Sequence, residues 1–141
     1  MTTQGFSVVH IPVIGPDWPE NAPRLNCWVK PKGELATIST TETKFIAYIE
    51  FPEDGVPRAN HFHKEKEEYL YLISGRVRCY FRRADALNET PNEIDAFAGD
   101  LISVQPGWSH AYLTIEPGHA IEFSPTPFAV ILEDTFSDKV I

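Results

Sequence analysis

The sequence contains little cysteine and no long apolar run. Its two cysteines, Cys27 and Cys79, are far apart among the 141 residues, so no disulfide framework is expected. No segment approaches the roughly 18 consecutive apolar residues of a membrane-spanning helix. The N-terminal MTTQGFSVVHIPVIG lacks the basic segment and apolar core of a signal peptide. These features predict a reduced, cytoplasmic protein that makes no membrane contact.

Basic charge and helical periodicity are scarce as well. The chain has 12 basic and 20 acidic residues, a net charge of −8, which argues against a protein that binds nucleic-acid backbones. A local basic cluster (Arg76, Arg78, Arg82 and Arg83) is either a solvated strand face or a site for an anionic ligand or partner chain. The 12 prolines and 8 glycines favour many short strands over long helices.

Alternating apolar residues predict about ten short strands, which indicates an all-β fold, a β-sandwich or a jelly-roll barrel. The clearest alternation places Phe45, Ala47, Ile49 and Phe51 on one face. Strands are predicted within 5–14 and at 26–30, 34–39, 44–51, 68–73, 76–82, 94–98, 100–104, 109–115, 118–123 and 127–132. The length predicts one domain over residues 1–141, with an N-terminal strand and arm at 1–30 and a barrel core at 31–135.

Histidines and a carboxylate provide the candidate site. His61 and His63 are two residues apart, and side chains at that spacing point the same way along a strand. The acidic residues Glu67 and Glu68 follow, and His110 occurs in the later segment GDLISVQPGWSH. Imidazoles with a carboxylate form a ligand set for a borderline divalent ion.

These segments resemble the two motifs of the cupin family. The first match comprises Gly55, His61, His63, Glu68 and Gly75, and the second comprises Gly99, Gly107 and His110. Gln105 replaces the usual proline and Thr114 the usual asparagine, but no ligand is lost. The resemblance implies a double-stranded β-helix that binds metal through His61, His63, Glu68 and His110. Glu67 is the alternative carboxylate ligand, but the six-residue spacing to Gly75 favours Glu68.

A hairpin turning at Glu116-Pro117 would place Tyr112, Ile121 and Phe123 on the same face as His110. His119 would share that face about 13 Å away, too far to be a ligand. Tyr112 is therefore a candidate catalytic acid or substrate contact. Glu68 is a second catalytic candidate, because a ligating carboxylate can detach and take a proton.

Three imidazoles and one carboxylate leave two positions open on an octahedral ion, which suits Fe, Mn, Ni, Co, Cu or Zn. The leading hypothesis is an enzyme that acts on a small oxygenated substrate as an isomerase, cyclase or dioxygenase. The alternatives are a non-catalytic cupin that senses or binds a metal or small ligand, and a metal-free sugar-nucleotide epimerase or isomerase. A homodimer is expected, with Tyr69, Tyr71 and Ile73 on the face opposite the ligands.

Overall fold

The computed structural model describes residues 5–15 and 21–141. Thirteen strands and one short helix lie within these ranges. In chain order they are β1 Phe6–His10, β2 Val13–Ile14, β3 Asn26–Lys30, β4 Gly33–Thr37, β5 Phe45–Phe51, β6 Arg58–Phe62, β7 Glu68–Leu72, β8 Arg76–Arg83, β9 Asn92–Phe97, β10 Asp100–Val104, β11 Trp108–Glu116, β12 Gly118–Ser124, α1 Phe128–Ile131 and β13 Phe136–Ser137.

Two five-stranded sheets form the body of the protein. One has the strand order β1-β10-β7-β12-β5, and the other has the order β13-β6-β11-β8-β9. All pairs within both sheets are antiparallel. The main core, which includes the fully buried Leu72, Val77, Phe81 and Ile102, contains inward-facing side chains of both sheets. This architecture confirms the predicted all-β, jelly-roll, cupin-like fold.

Most predicted strands are confirmed to within one or two residues. The alternation in β5 is present, because Ile49 and Phe51 are buried whereas Ile46 and Tyr48 are exposed. The strand predicted at 127–132 is wrong, since this segment forms α1. Pro127, at φ −60°, provides the backbone angle with which a helix begins. The N-terminal strand and arm predicted at 1–30 falls partly on residues 1–4 and 16–20, outside the described residues.

The predicted hairpin between β11 and β12 is also wrong, because the two strands belong to different sheets. The connection crosses from one sheet to the other where two backbones pass closely. A Cβ added at Gly118 would lie 1.8 Å from the carbonyl oxygen of Ser74. As a result, Phe123 and Ile121 belong to a second apolar cluster with Tyr71, separate from the main core.

A small third sheet, β2-β3-β4, supplies other members of that second cluster, including Cys27. The predicted boundary at residue 30 between the N-terminal arm and the barrel core does not coincide with a boundary between sheets. The strand β1 lies in a main sheet, and β4 lies in the small one. No helix in the described ranges has the length and apolar character needed to cross a membrane.

The predicted basic cluster is occupied by internal ion pairs. Arg76 and Arg78 both contact Asp95, and Arg82 makes two 2.8 Å hydrogen bonds to Asp138. The charge and hydrogen bonds of the two arginines, Arg78 foremost, lower the pKa of Asp95 to about 2 despite partial desolvation. These contacts favour a structural role over an anion site.

Candidate active site

The structure brings His61, His63, Glu68 and His110 together between the two main sheets, as the motif spacing predicts. One ligand atom from each of the four residues lies within 4.8 Å of those of the others. The ring of His61 is 4.8 Å, centroid to centroid, from both other rings. Glu67 does not belong to this cluster, so the geometry selects Glu68 over its rival.

A distortion in β6 orients the first histidine. Ala59 and Asn60 have φ values of +71° and +54°, which non-glycine residues rarely adopt. His61 pairs with His110 across the strands while Ala59 pairs with Ala111, so Asn60 is an extra residue in the ladder. Bulges of this kind redirect a side chain near a functional site.

Backbone carbonyls fix the orientation of the other two rings. The Nδ1 of His63 donates to the carbonyl oxygen of Asp134 at 2.6 Å, and that of His110 donates to the carbonyl oxygen of Trp108 at 3.1 Å. In the neutral tautomers, the lone pair of each Nε2 therefore points into the site. Both Nε2 atoms are buried without a hydrogen bond, although Glu68 oxygens approach to 3.5 and 3.2 Å.

Glu68 is held by four neighbours. Its Oε1 atom accepts from Lys66 at 3.1 Å, and its Oε2 atom accepts from the Tyr112 hydroxyl at 3.0 Å. Burial alone would raise the pKa of Glu68, but the charge of His110, whose Nε2 lies 3.2 Å from Oε2, and the charge of Lys66 outweigh burial and lower that pKa well below its usual value. This carboxylate is therefore ionised.

The protonation states of the surrounding groups differ. Burial, with the charge of His110 next, lowers the pKa of His61 to about 3. Burial lowers the pKa of His110 too, but the charge of Glu68 outweighs burial and raises that pKa. Burial and then Glu68 raise the pKa of Tyr112 well above its usual value. The site thus holds a neutral imidazole, a protonated phenol and an anion.

Two further charged groups were missed by the sequence reasoning. Lys66 is only 4% exposed, and its Nζ atom donates to both Glu68 and Glu122. The distance to Glu122 Oε2 is 2.7 Å. The incorrect hairpin had placed Ile121 and Phe123 inward, whereas β12 directs Ala120 and Glu122 there. Alternation along β12 identifies the two faces but not which of them is inner.

A third missed residue, Asp134, lies beyond the last predicted strand. Its carboxylate accepts from the backbone N–H groups of Lys64, Glu65 and Lys66 at 2.8–2.9 Å. The loop between His63 and Glu68 is therefore fixed by a segment some 70 residues away. No local sequence pattern indicates this contact.

A cavity of about 190 Å³ opens onto the cluster. It is lined by Ile49, Arg58, Ala59, His61, Glu68, Tyr112 and Glu122. Tyr112 thus lies at the site, as predicted. His119 is exposed on the outer surface, where it contacts Tyr48, and His10 pairs with Asp100. Neither His119 nor His10 is therefore part of the cluster of His61, His63, Glu68 and His110.

The donor set fits a divalent transition metal. Three imidazoles and one carboxylate converge, and two of the imidazoles have buried nitrogens without a hydrogen-bond partner. A buried polar atom without a partner is costly, and a metal ion would satisfy both nitrogens. The set is one that Fe, Mn, Ni, Co, Cu or Zn accepts.

Solved structures with a similar fold include sugar 3,4-ketoisomerases. One from Helicobacter canadensis is 13% identical, with a TM-score of 0.66, covering 87% of this chain and 84% of that chain. Another is a mutant of the 3,4-ketoisomerase QdtA from Thermoanaerobacterium thermosaccharolyticum in complex with TDP-4-keto-6-deoxyglucose. It is 12% identical, with a TM-score of 0.70, and the match covers 98% of this chain and 90% of that chain. These similarities support the cupin fold.

The capsular polysaccharide assembling protein CapF from Staphylococcus aureus is 19% identical, with a TM-score of 0.57. The match covers 86% of this chain and 34% of CapF. None of the curated proteins compared with the chain matches it. The family model of the polysaccharide biosynthesis C-terminal domain matches residues 29–122, more than half of the chain and all four clustered residues. The chain therefore belongs to the family of the polysaccharide biosynthesis C-terminal domain.

Proposed function

We propose that the protein is an enzyme that isomerises a keto sugar joined to a nucleotide. The observation that carries this proposal is the cavity in which His61, Glu68, Tyr112 and Glu122 face one space in different protonation states. The family supports a role in polysaccharide biosynthesis, and structural neighbours that are sugar 3,4-ketoisomerases support this reaction class.

The cavity is suited to the sugar ring rather than to the whole nucleotide sugar. Its volume of about 190 Å³ is less than the roughly 300 Å³ at which pockets begin to enclose drug-sized ligands. The nucleotide would lie outside, towards a neighbouring depression of about 230 Å³ that also includes Arg58. Arg58 is exposed and forms no ion pair within the described ranges, so its guanidinium is available for the diphosphate.

Isomerisation of a keto sugar needs a proton acceptor at the carbon beside the carbonyl and a donor for the oxygen on which charge develops. Tyr112 remains protonated, and its hydroxyl is oriented by Glu68 Oε2 at 3.0 Å. His61 is neutral at physiological pH and exposes its ring to the cavity. These two side chains would bind and orient the sugar oxygens while the barrel walls exclude water.

We further propose that His61, His63, Glu68 and His110 hold a divalent transition metal. The close approach of the four donor atoms and the unpaired Nε2 atoms of His63 and His110 support this cofactor. A bound ion would supply Lewis-acid polarisation of a substrate oxygen. The Asp134 and Trp108 carbonyls, by fixing the histidine tautomers, would keep the donor nitrogens directed at it.

The activity can be tested with TDP-4-keto-6-deoxyglucose in deuterated water, followed by proton NMR. The proposal predicts a 3-keto product and deuterium on the ring carbon that is reprotonated. A His61→Ala variant should lose this activity, whereas Glu53→Ala, an exposed change, should not. No product and no deuterium incorporation by the wild-type protein would contradict the isomerase and favour a binding role.

The cofactor can be tested separately by chelation. Removal of a bound metal with EDTA should abolish turnover, and one of the six metals should restore it. If turnover persists unchanged in chelated protein shown to be metal-free, the isomerase works without metal.

A further inference from the structure

The structure assigns a role to a carboxylate that neither the motifs nor the predicted hairpin indicated. Resting on the proposed isomerase function, we infer that Glu122 is the catalytic residue that takes the proton from the sugar carbon beside the carbonyl and delivers a proton to the neighbouring carbon. Glu122 lies on β12 between β7 and β5 and lines the same cavity as His61 and Tyr112.

The other carboxylate of the cavity is not free to serve as the base. Glu68 Oε1 contacts Lys66 at 3.1 Å and His63 at 3.5 Å, while its Oε2 contacts Tyr112 at 3.0 Å and His110 at 3.2 Å. Both oxygens are therefore occupied by neighbouring side chains. Transfer of a substrate proton to Glu68 would require breaking at least one of these contacts.

Glu122 keeps one oxygen available. Its Oε2 atom accepts from Lys66 at 2.7 Å, which fixes the carboxylate in place. Within the described residues, Oε1 has no such partner, and the side chain is 15% exposed in the cavity region. A base must be held rigidly yet have a lone pair that reaches the substrate, and this geometry satisfies both conditions.

The electrostatic surroundings agree with this role. Burial, and then the nearby charge of Glu68, raise the pKa of Glu122 above the usual glutamate value, although Lys66 opposes them. A carboxylate with a higher pKa is a stronger base and a better carrier of the proton between two carbons.

The proton transfer balances within the substrate. The Glu122 carboxylate takes the C3 proton of a 4-keto sugar, the C3–H electron pair forms the C3–C4 double bond, and the carbonyl π pair moves to O4, which takes the proton of the Tyr112 hydroxyl. The enediol then gives the O3 proton back to Tyr112 as the C3–O3 carbonyl forms, and Glu122, whose proton exchanges with the solvent, delivers a proton to C4. No oxidant or reductant is needed.

The test compares Glu122→Gln with the wild-type protein in the deuterium incorporation assay with TDP-4-keto-6-deoxyglucose. Glutamine has nearly the same shape but cannot take the proton, so kcat should fall by about 100-fold or more while KM stays within threefold. Glu42→Gln is the matched control, because Glu42 is exposed and lines neither the cavity nor the neighbouring depression. Its turnover should equal that of the wild-type protein.

A second variant guards against a loss of folding. Glu122→Asp keeps the charge opposite Lys66 but withdraws the carboxylate by one methylene, so it should fold and lose at least about tenfold in kcat. If Glu122→Gln or Glu122→Asp is folded and retains wild-type kcat, the inference is wrong. If the wild-type protein forms no 3-keto product, the proposed isomerase function itself fails, and the inference fails with it.

Discussion

Replacement of Asp134 by alanine tests whether the C-terminal segment holds the candidate site together. The carboxylate is buried, 5% exposed, and accepts three backbone hydrogen bonds from the loop that joins His63 to Glu68. Hydrogen bonds to charged groups contribute about 1.5–3 kcal/mol each. In Asp134→Ala, water can replace part of the lost hydrogen bonding to the backbone N–H groups, because Lys64 and Glu65 are exposed. The expected loss in the free energy of unfolding is about 2–4 kcal/mol.

Urea denaturation of the complete chain measures this loss, and the melting temperature should fall by about 10 °C. The control is Glu133→Ala, the exposed acidic neighbour, whose expected effect is within about 0.5 kcal/mol. A change in Asp134→Ala no larger than in Glu133→Ala would refute the argument that three hydrogen bonds to one carboxylate fix this loop.

The pH dependence of the same variant provides a second check. Burial, which raises the pKa of Asp134, is outweighed by the three backbone N–H groups, so the folded-state pKa lies below the ordinary 3.8. Because the pKa of Asp134 is lower in the folded state, its carboxylate contributes fully to stability when the pH is above its pKa in the unfolded chain. This contribution disappears as the pH falls through its pKa in the folded protein. The difference in stability between wild type and Asp134→Ala should therefore shrink in acid and stay constant near neutral pH.

Three further predictions concern the fold, the ligand and the assembly. Gly118→Ala should destabilise the protein by about 2 kcal/mol or more in a urea titration, because the added Cβ would meet the Ser74 carbonyl oxygen. Gly15→Ala is the control and should have little effect, because the space around Gly15 is open. Glu68→Gln should weaken metal affinity at least about tenfold and Glu67→Gln should not; calorimetric titration giving the reverse order would move the ligand to Glu67. The homodimer remains a prediction: sedimentation velocity should give twice the chain mass of 15.9 kDa, and a single species at 15.9 kDa would contradict it.

The strands and the cluster could be predicted because both depend on short sequence spacings. Alternation defined β5, β8 and β10 to within about a residue at each end, and His61 and His63 converge because they are only two residues apart. The short helix at 128–131 was missed, since four apolar residues after a proline fit either a strand or a helical turn.

Glu122 and Asp134 could not be predicted for physical reasons. Apolar clusters lie on both faces of the sheet that contains β12, so Phe123 and Ile121 are as apolar as inward-facing residues would be. Alternation alone therefore could not identify Glu122 as the inward-facing residue. Asp134 acts through contacts 68–70 residues away in sequence, which depend on the complete topology.

The central claim is that His61, His63, Glu68 and His110 form one metal centre in the barrel. Elemental analysis of protein purified without an affinity tag or added metal tests it most directly, with His110→Ala as the comparison. We expect close to one Fe, Mn, Ni, Co, Cu or Zn per wild-type chain and nearly complete loss in a folded His110→Ala variant. The claim would be contradicted if the wild-type protein carried no metal and took up none when these ions were added. Full metal occupancy in His110→Ala would also contradict it.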